Sequence, residues 1–168
     1  MASAEGFEAF CISEHPRLVG MLSLYCGDAG VAEELAQDAL AVAWRDWAKV
    51  QAMTHPSAWI AKVAINRANS FYRRRSAERR ASKRIESPHV TDDPDIATAV
   101  AVRSTVAGLP VRQRTVLVLH YFMDLPFREV AETLGIPEPT VKSLARRAIA
   151  AMRKEGELAD LEEAPGVI

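Results

Sequence analysis

Between Phe127 and Met152 the apolar residues leave room for very few folds. Phe127, Val130, Ala131 and Leu134 recur at the offsets of one helix face, Gly135 supplies a turn, and Val141, Ala145, Ala148 and Met152 resume the same period. Two short amphipathic helices joined through a glycine, the second with a basic outer face, are the pattern of a helix-turn-helix. The second helix is expected to enter a DNA major groove. Thr140, Lys142, Ser143, Arg146 and Arg147 would then face guanine edges and phosphates, while Val141 and Ala145 hold the helix to its own domain. The competing reading is a basic helix that merely faces solvent, but the glycine turn and the preceding amphipathic helix both favour the motif.

The rest of the chain keeps the helical period. Phe7, Phe10, Cys11 and Glu14, then Leu18, Met21, Leu22 and Tyr25, predict a helix over residues 5–26, interrupted or restarted at Pro16 and ended by Gly27 and Asp28. Asp28 suits an N-cap for a helix over about 30–47, with Ala36, Leu40, Trp44 and Trp47 as its inward stripe. After a loop from Ala48 to His55, Pro56 suits the first turn of a long helix whose Ile60, Ala64, Ala68 and Phe71 point inward. Residues 81–95 lose the period and hold two prolines, which predicts a linker. A second block is expected to start at Asp95, with Ile96, Val100 and Val106 as core, and to break at Gly108 and Pro110 before resuming through VRQRTVLVLHYFM. No stretch alternates with period two, so the expectation is an all-α protein of two small helical domains: 5–80, an acidic flexible linker at 81–95, 96–154, and an acidic tail at 155–168.

The formal net charge of -1 conceals a division into blocks. Residues 62–84 carry +8 and residues 137–154 carry +4, whereas residues 1–61 and 155–168 carry -5 each. Two basic blocks between acidic ones predict two polyanion-binding surfaces on a chain otherwise repelled from nonspecific nucleic acid. With no long apolar run and no signal-peptide pattern, the expected compartment is the cytoplasm and no membrane insertion is expected.

The densest positive charge lies in NRANSFYRRRSAERR, residues 66–80, where six arginines meet one acid. On a helix, Trp59, Lys62, Asn66, Asn69 and Arg73 form one stripe of a ring, two cations and two amides. Such a stripe suits unpaired bases, with amides on base edges, rings on base faces, and Arg73, Arg74 and Arg75 on the backbone. The alternative places Trp59 in the core and leaves the amides as ordinary surface. Glu34, Gln37 and Asp38 share a helix face that reads either as solvated or as a protein interface. Cys11 and Cys26 lack CxxC spacing and read as buried thiols; Cys11 and His15 are too few for a metal site, so no metal or other cofactor is expected. Phosphate loops, HExxH and nucleophile elbows are absent from the sequence, which argues against an enzyme.

With both halves in view, the chain resembles the extracytoplasmic-function group of bacterial RNA polymerase sigma factors. GDAGVAEELAQDALAVAWRDW and SAWIAKVAINRANSFYRRR are similar to the family's region two, and LPVRQRTVLVLHYFMDLPFREVAETLGIPEPTVKSLARRA to its region four. The resemblance implies a non-catalytic promoter-specificity subunit whose partners are core polymerase, promoter DNA and a possible anti-sigma factor. It implies that Glu34, Gln37 and Asp38 meet the clamp helices of the largest subunit and that region four reaches the flap. By the same resemblance, the 48–55 loop and Asn66 capture a flipped base of the melted minus-ten element, and Lys142, Ser143, Arg146 and Arg147 read the minus-thirty-five element. Leu144 departs from a commonly basic family position, and Pro126 from a usual Ser or Thr cap. A stand-alone helix-turn-helix regulator is the alternative, and an RNA-binding adaptor a third reading.

Overall fold

A computed structural model of the chain describes residues 4–82 and 102–154, and every regular element among them is helical. The first half runs through α1 (Ala4–Cys26), α2 (Ala29–Arg45), the single turn α3 (Trp47–Val50) and the long α4 (Pro56–Ser82). The second half holds α5 (residues 102–108), α6 (Val111–Leu117), a π-helical turn (Val118–Phe122), α7 (Phe127–Leu134) and α8 (Glu138–Lys154). Of the expected linker, residues 81 and 82 still belong to α4; its remainder, the expected start at Asp95 with Ile96 and Val100, and the acidic tail lie outside the described residues.

Local chemistry sets the helix ends. Gly27 adopts φ 74°, a left-handed conformation that costs glycine little, and so closes α1. One residue later Asp28, in extended backbone, accepts the Val31 N–H at 3.0 Å on Oδ1 and caps α2. Gly135, at φ 67°, makes the corresponding left-handed stop after α7. Pro126 stands at the cap of α7 without a side-chain bond, its fixed φ of -55° leading the chain into the first turn.

Two helical expectations need correction. Pro16 neither interrupts nor restarts α1, which is continuous through it. The bond that proline cannot donate would go to the carbonyl of Ile12, and both residues lie on the water-facing side, Ile12 with 71% exposure, where solvent can take over. The expected α2 stripe also divides: Ala36 and Leu40 are buried, but Trp44 is 54% exposed and Trp47 belongs to α3. Because α2 ends at Asp46, Trp47 swings off the α2 face and meets Phe7 edge-on at 5.3 Å and Phe10 at 5.2 Å.

Leu18, Met21, Leu22 and Tyr25 of α1 pack on a ladder of alanines, Ala32, Ala36, Ala39 and Ala43, in α2, and on Ile60, Ala64 and Ala68 of α4. Small residues at one face let three helices approach closely and exclude water. In the second half Val116, Val118, Leu119, Val130, Val141, Ala145, Ala148 and Met152 form the corresponding interior. The two interiors join into one contiguous apolar core, because α7 lies against α4 and the π-helical turn against α1. No helix among the described residues is long and apolar enough to cross a membrane.

Candidate nucleic-acid and polymerase interface

On α8 the buried residues Val141, Leu144, Ala145, Ala148 and Met152 occupy one side, so its other side is left for water or a ligand. Thr140, Lys142, Arg146 and Arg147 are exposed there and Ser143 is half-buried. Leu144, at a position where a base would extend the cationic row, is committed to the core at 9% exposure. The cations are only lightly held: Lys142 pairs with Glu138 at 2.7 Å, Arg147 donates to Ser143 Oγ at 3.1 Å, and Arg146 reaches the Lys142 carbonyl at 3.4 Å. One turn along an exposed helix, such contacts contribute little and exchange readily for phosphate or base contacts.

A second cationic surface lies between α2 and α4. Arg45, Arg67, Arg73 and Arg74, with Asn66 and Ser70, line an open groove of about 780 Å³. Its floor is apolar, with Val42 and Val63, and its rim is guanidinium, the composition expected of a groove that follows a nucleic-acid backbone past its bases. Asn66 is exposed on this rim. Arg67 belongs to the arginine run of α4 itself, whereas Arg45 comes from α2, a separate element whose place beside that run only packing reveals. Arg67 lies 3.8 Å from Asp38, which joins the groove to the acidic face of α2. On that face Glu34, Gln37 and Asp38 are all exposed, and Gln37 donates to Glu33 Oε1 at 3.1 Å.

The expected outward stripe of α4 is only partly outward. Asn66 and Arg73 are exposed, and Trp59 packs half-buried against the core. Lys62 donates its ammonium to the Thr133 carbonyl in α7, and Asn69 Oδ1 accepts the Tyr25 hydroxyl at 2.8 Å. Lys62 thus points toward the second half, where α7 packs, whereas Asn69 is tied to α1 and borders the recess between the halves. Arg74 is exposed and Arg75 half-buried.

Neither cysteine is a poised nucleophile. Burial pushes the Cys26 thiol up to about 11, against the smaller opposing effects of the Tyr72 hydrogen bond and Arg114, and burial raises Cys11 as well. His15 bonds Glu33 at 2.9 Å instead of joining Cys11, and the described residues hold no cluster able to take a metal ion.

Residues 12–78 match the family model Sigma-70 region 2, and residues 99–152 match Sigma-70, region 4. The chain is similar to the RNA polymerase sigma-E factor of Streptomyces antibioticus, 30% identical over 132 residues that cover 78% of this chain and 73% of that protein. It is equally similar, at 30% over 163 residues, to the ECF RNA polymerase sigma factor SigK of Mycolicibacterium vanbaalenii, covering 90% of this chain and 82% of the relative. In fold it is similar to the sigma factor RpoE solved in complex with the anti-sigma factor NepR from Bartonella quintana, with a TM-score of 0.78 and 21% identity over 93% of this chain and 99% of that one. The order of the two matched regions, the all-helical architecture and the length shared with these relatives agree: the chain belongs to the extracytoplasmic-function sigma factors of RNA polymerase.

Proposed function

We propose that this sigma factor divides promoter recognition between its halves, residues 5–80 acting on opened DNA and residues 96–154 on the upstream duplex. A sigma factor is not an enzyme, and the chemistry of transcription belongs to the polymerase. Glu34, Gln37 and Asp38 dock on the clamp helices of the largest subunit, with the second half near the flap. Asn66 pairs with a flipped minus-ten base, Lys62, Asn69 and Trp59 complete its surroundings, and Arg73, Arg74 and Arg75 hold the strand. Thr140, Lys142, Ser143, Arg146 and Arg147 read the minus-thirty-five element in the major groove. The 81–95 segment links the two, and the work is cytoplasmic. The likeness to RpoE solved with NepR supports an anti-sigma factor as a further partner.

The observation that carries this reading is the presence of two separate cationic surfaces of different shape. One is a groove with an amide on its rim; the other is a straight row on a helix backed by core residues. The first suits a flexible single strand and the second a duplex groove. Strand opening is then driven by contacts available only in the opened state, since contacts equal in both states shift nothing.

Run-off transcription with purified core polymerase and a promoter library tests the assignment as a whole. Reversing both acids of the α2 face, Glu34→Lys with Asp38→Lys, is expected to weaken holoenzyme assembly by roughly tenfold or more, since like charges then oppose across the interface. Undiminished assembly removes that face from the polymerase contact. On a promoter selected by the library, Asn66→Ala is expected to lower permanganate reactivity of the minus-ten thymines while leaving upstream duplex binding intact. Normal opening by this variant counts against base capture at Asn66.

A further inference from the structure

Lys62, Ile65, Asn66 and Asn69 fall on one face of α4 by helical spacing, and with Val111, Arg112 and Thr115 of α6 they border a recess of about 170 Å³. Leu134, Ile136 and Leu144 complete its wall. We propose that this recess binds a small amphipathic anion, a monocarboxylate whose apolar body is about the size of one six-membered ring. Such a ligand is required by none of the DNA or polymerase contacts, and the site does not depend on the DNA roles given to Lys62, Asn66 and Asn69.

The apolar side of the recess sets the body of the ligand. Ile65 and Leu144 are buried there and Leu134 and Ile136 are half-buried, so aliphatic groups from several elements converge on one small volume. Water finds no hydrogen bonds over such a surface, and an apolar group that displaces it is favoured. An aliphatic cavity of about 150 Å³ accepts one benzene ring, so this recess takes a single ring and little more. Among the described residues that line it, none is an aromatic on which a nucleobase could stack.

The polar side sets the charge. Half-buried Lys62 spends one ammonium donor on the Thr133 carbonyl and keeps others to give, and Arg112 is exposed in the first turn of α6. Asn69 Oδ1 already accepts the Tyr25 hydroxyl at 2.8 Å, which fixes the amide and leaves its NH2 as a donor. Asn66 adds a second amide, and no carboxylate is among the described residues that line the recess. Two cations and two amides beside a surface partly closed to water favour a carboxylate more than the same groups would in open solvent. A phosphate ion offers the aliphatic wall nothing and is strongly hydrated, so it is disfavoured. Asn66, Asn69 and Val111 also border a wider cleft of about 900 Å³ edged by Arg73, Arg80 and Arg114, which gives an anion a cationic approach.

Three probes test the site on the full chain with its isoleucine and leucine methyls labelled for NMR: sodium benzoate, benzyl alcohol as its neutral counterpart, and inorganic phosphate as an anion without an apolar body. Benzoate is expected to bind saturably in the millimolar range, as suits so small a ligand. It should shift the methyls of Ile65, Leu134, Ile136 and Leu144 while the core residues Leu18 and Leu22 stay in place. Benzyl alcohol should bind the same methyls about tenfold more weakly, and phosphate should not move them. Arg112→Ala is expected to weaken benzoate about threefold to tenfold and to leave benzyl alcohol unchanged. Val111→Trp, a large ring introduced at an exposed residue of the rim, should abolish binding of both. Shifts that stay linear up to about 20 mM benzoate, that spread over the whole chain, or that persist in Val111→Trp overturn the site. Equal affinity for benzoate and benzyl alcohol, or an undiminished preference for benzoate in Arg112→Ala, overturns its assignment to an anion.

Discussion

Arg146→Ala with Arg147→Ala is expected to abolish discrimination of the upstream promoter element while the protein remains folded. Each arginine that reads a guanine through two hydrogen bonds contributes about 1–3 kcal/mol, so each substitution costs roughly tenfold to a hundredfold in specific affinity. Stability should hardly change. Both side chains are exposed, their bonds to Ser143 and to the Lys142 carbonyl are local, and alanine is the stronger helix former. Fluorescence polarisation against a duplex library, with thermal melts of the same preparations, separates the two effects. Preserved selectivity in the folded double variant sinks the groove assignment. Lys142 gives an internal comparison: its 2.7 Å pair with Glu138 must be broken before it meets phosphate, so Lys142→Ala should cost less than either arginine.

The largest stability effect is expected at Tyr25. The residue is fully buried in α1, donates to Asn69 Oδ1 at 2.8 Å, lies 3.3 Å from Thr115 Oγ1, and carries the Arg114 guanidinium 4.9 Å above its ring. Arg114 itself donates to the carbonyls of Ala107 at 2.6 Å and Leu109 at 3.1 Å, where it satisfies the end of α5. Tyr25→Ala therefore opens a cavity and loosens a point at which both halves meet, at a cost of about 3–5 kcal/mol. Tyr25→Phe keeps the ring and strands its polar partners, at about 1–3 kcal/mol. Denaturant titrations of the two variants distinguish the contributions. A Tyr25→Phe protein as stable as the parent would show that the hydroxyl links nothing of consequence.

The two predictions differ in how visible their residues are in the sequence. Arg146 and Arg147 are legible because α8 is amphipathic: Val141, Ala145, Ala148 and Met152 define an inner side by their spacing, and the cations fall on what remains. The glycine stop at Gly135 and the cap at Asp28 are legible for the same reason, since each depends on a few adjacent residues and on backbone geometry that only certain side chains favour. Tyr25 reads only as one more apolar position in a helical period. Nothing adjacent to it tells of Asn69 or Thr115, which are 44 and 90 residues away.

Period and charge thus determined the all-helical fold, the turn before α8 and the location of the basic blocks, because these follow from contacts within one or two helical turns. Tertiary structure alone decided which basic and amide side chains are exposed. It brought Arg45 beside Arg67, sent Trp47 into the core with Phe7 and Phe10 while Trp44 stayed 54% exposed, turned Lys62 toward the second half and tied Asn69 to α1. Helical periodicity shows that a stripe exists on α4. Which neighbour covers that stripe depends on how separate elements fill space together, a property of the packed whole.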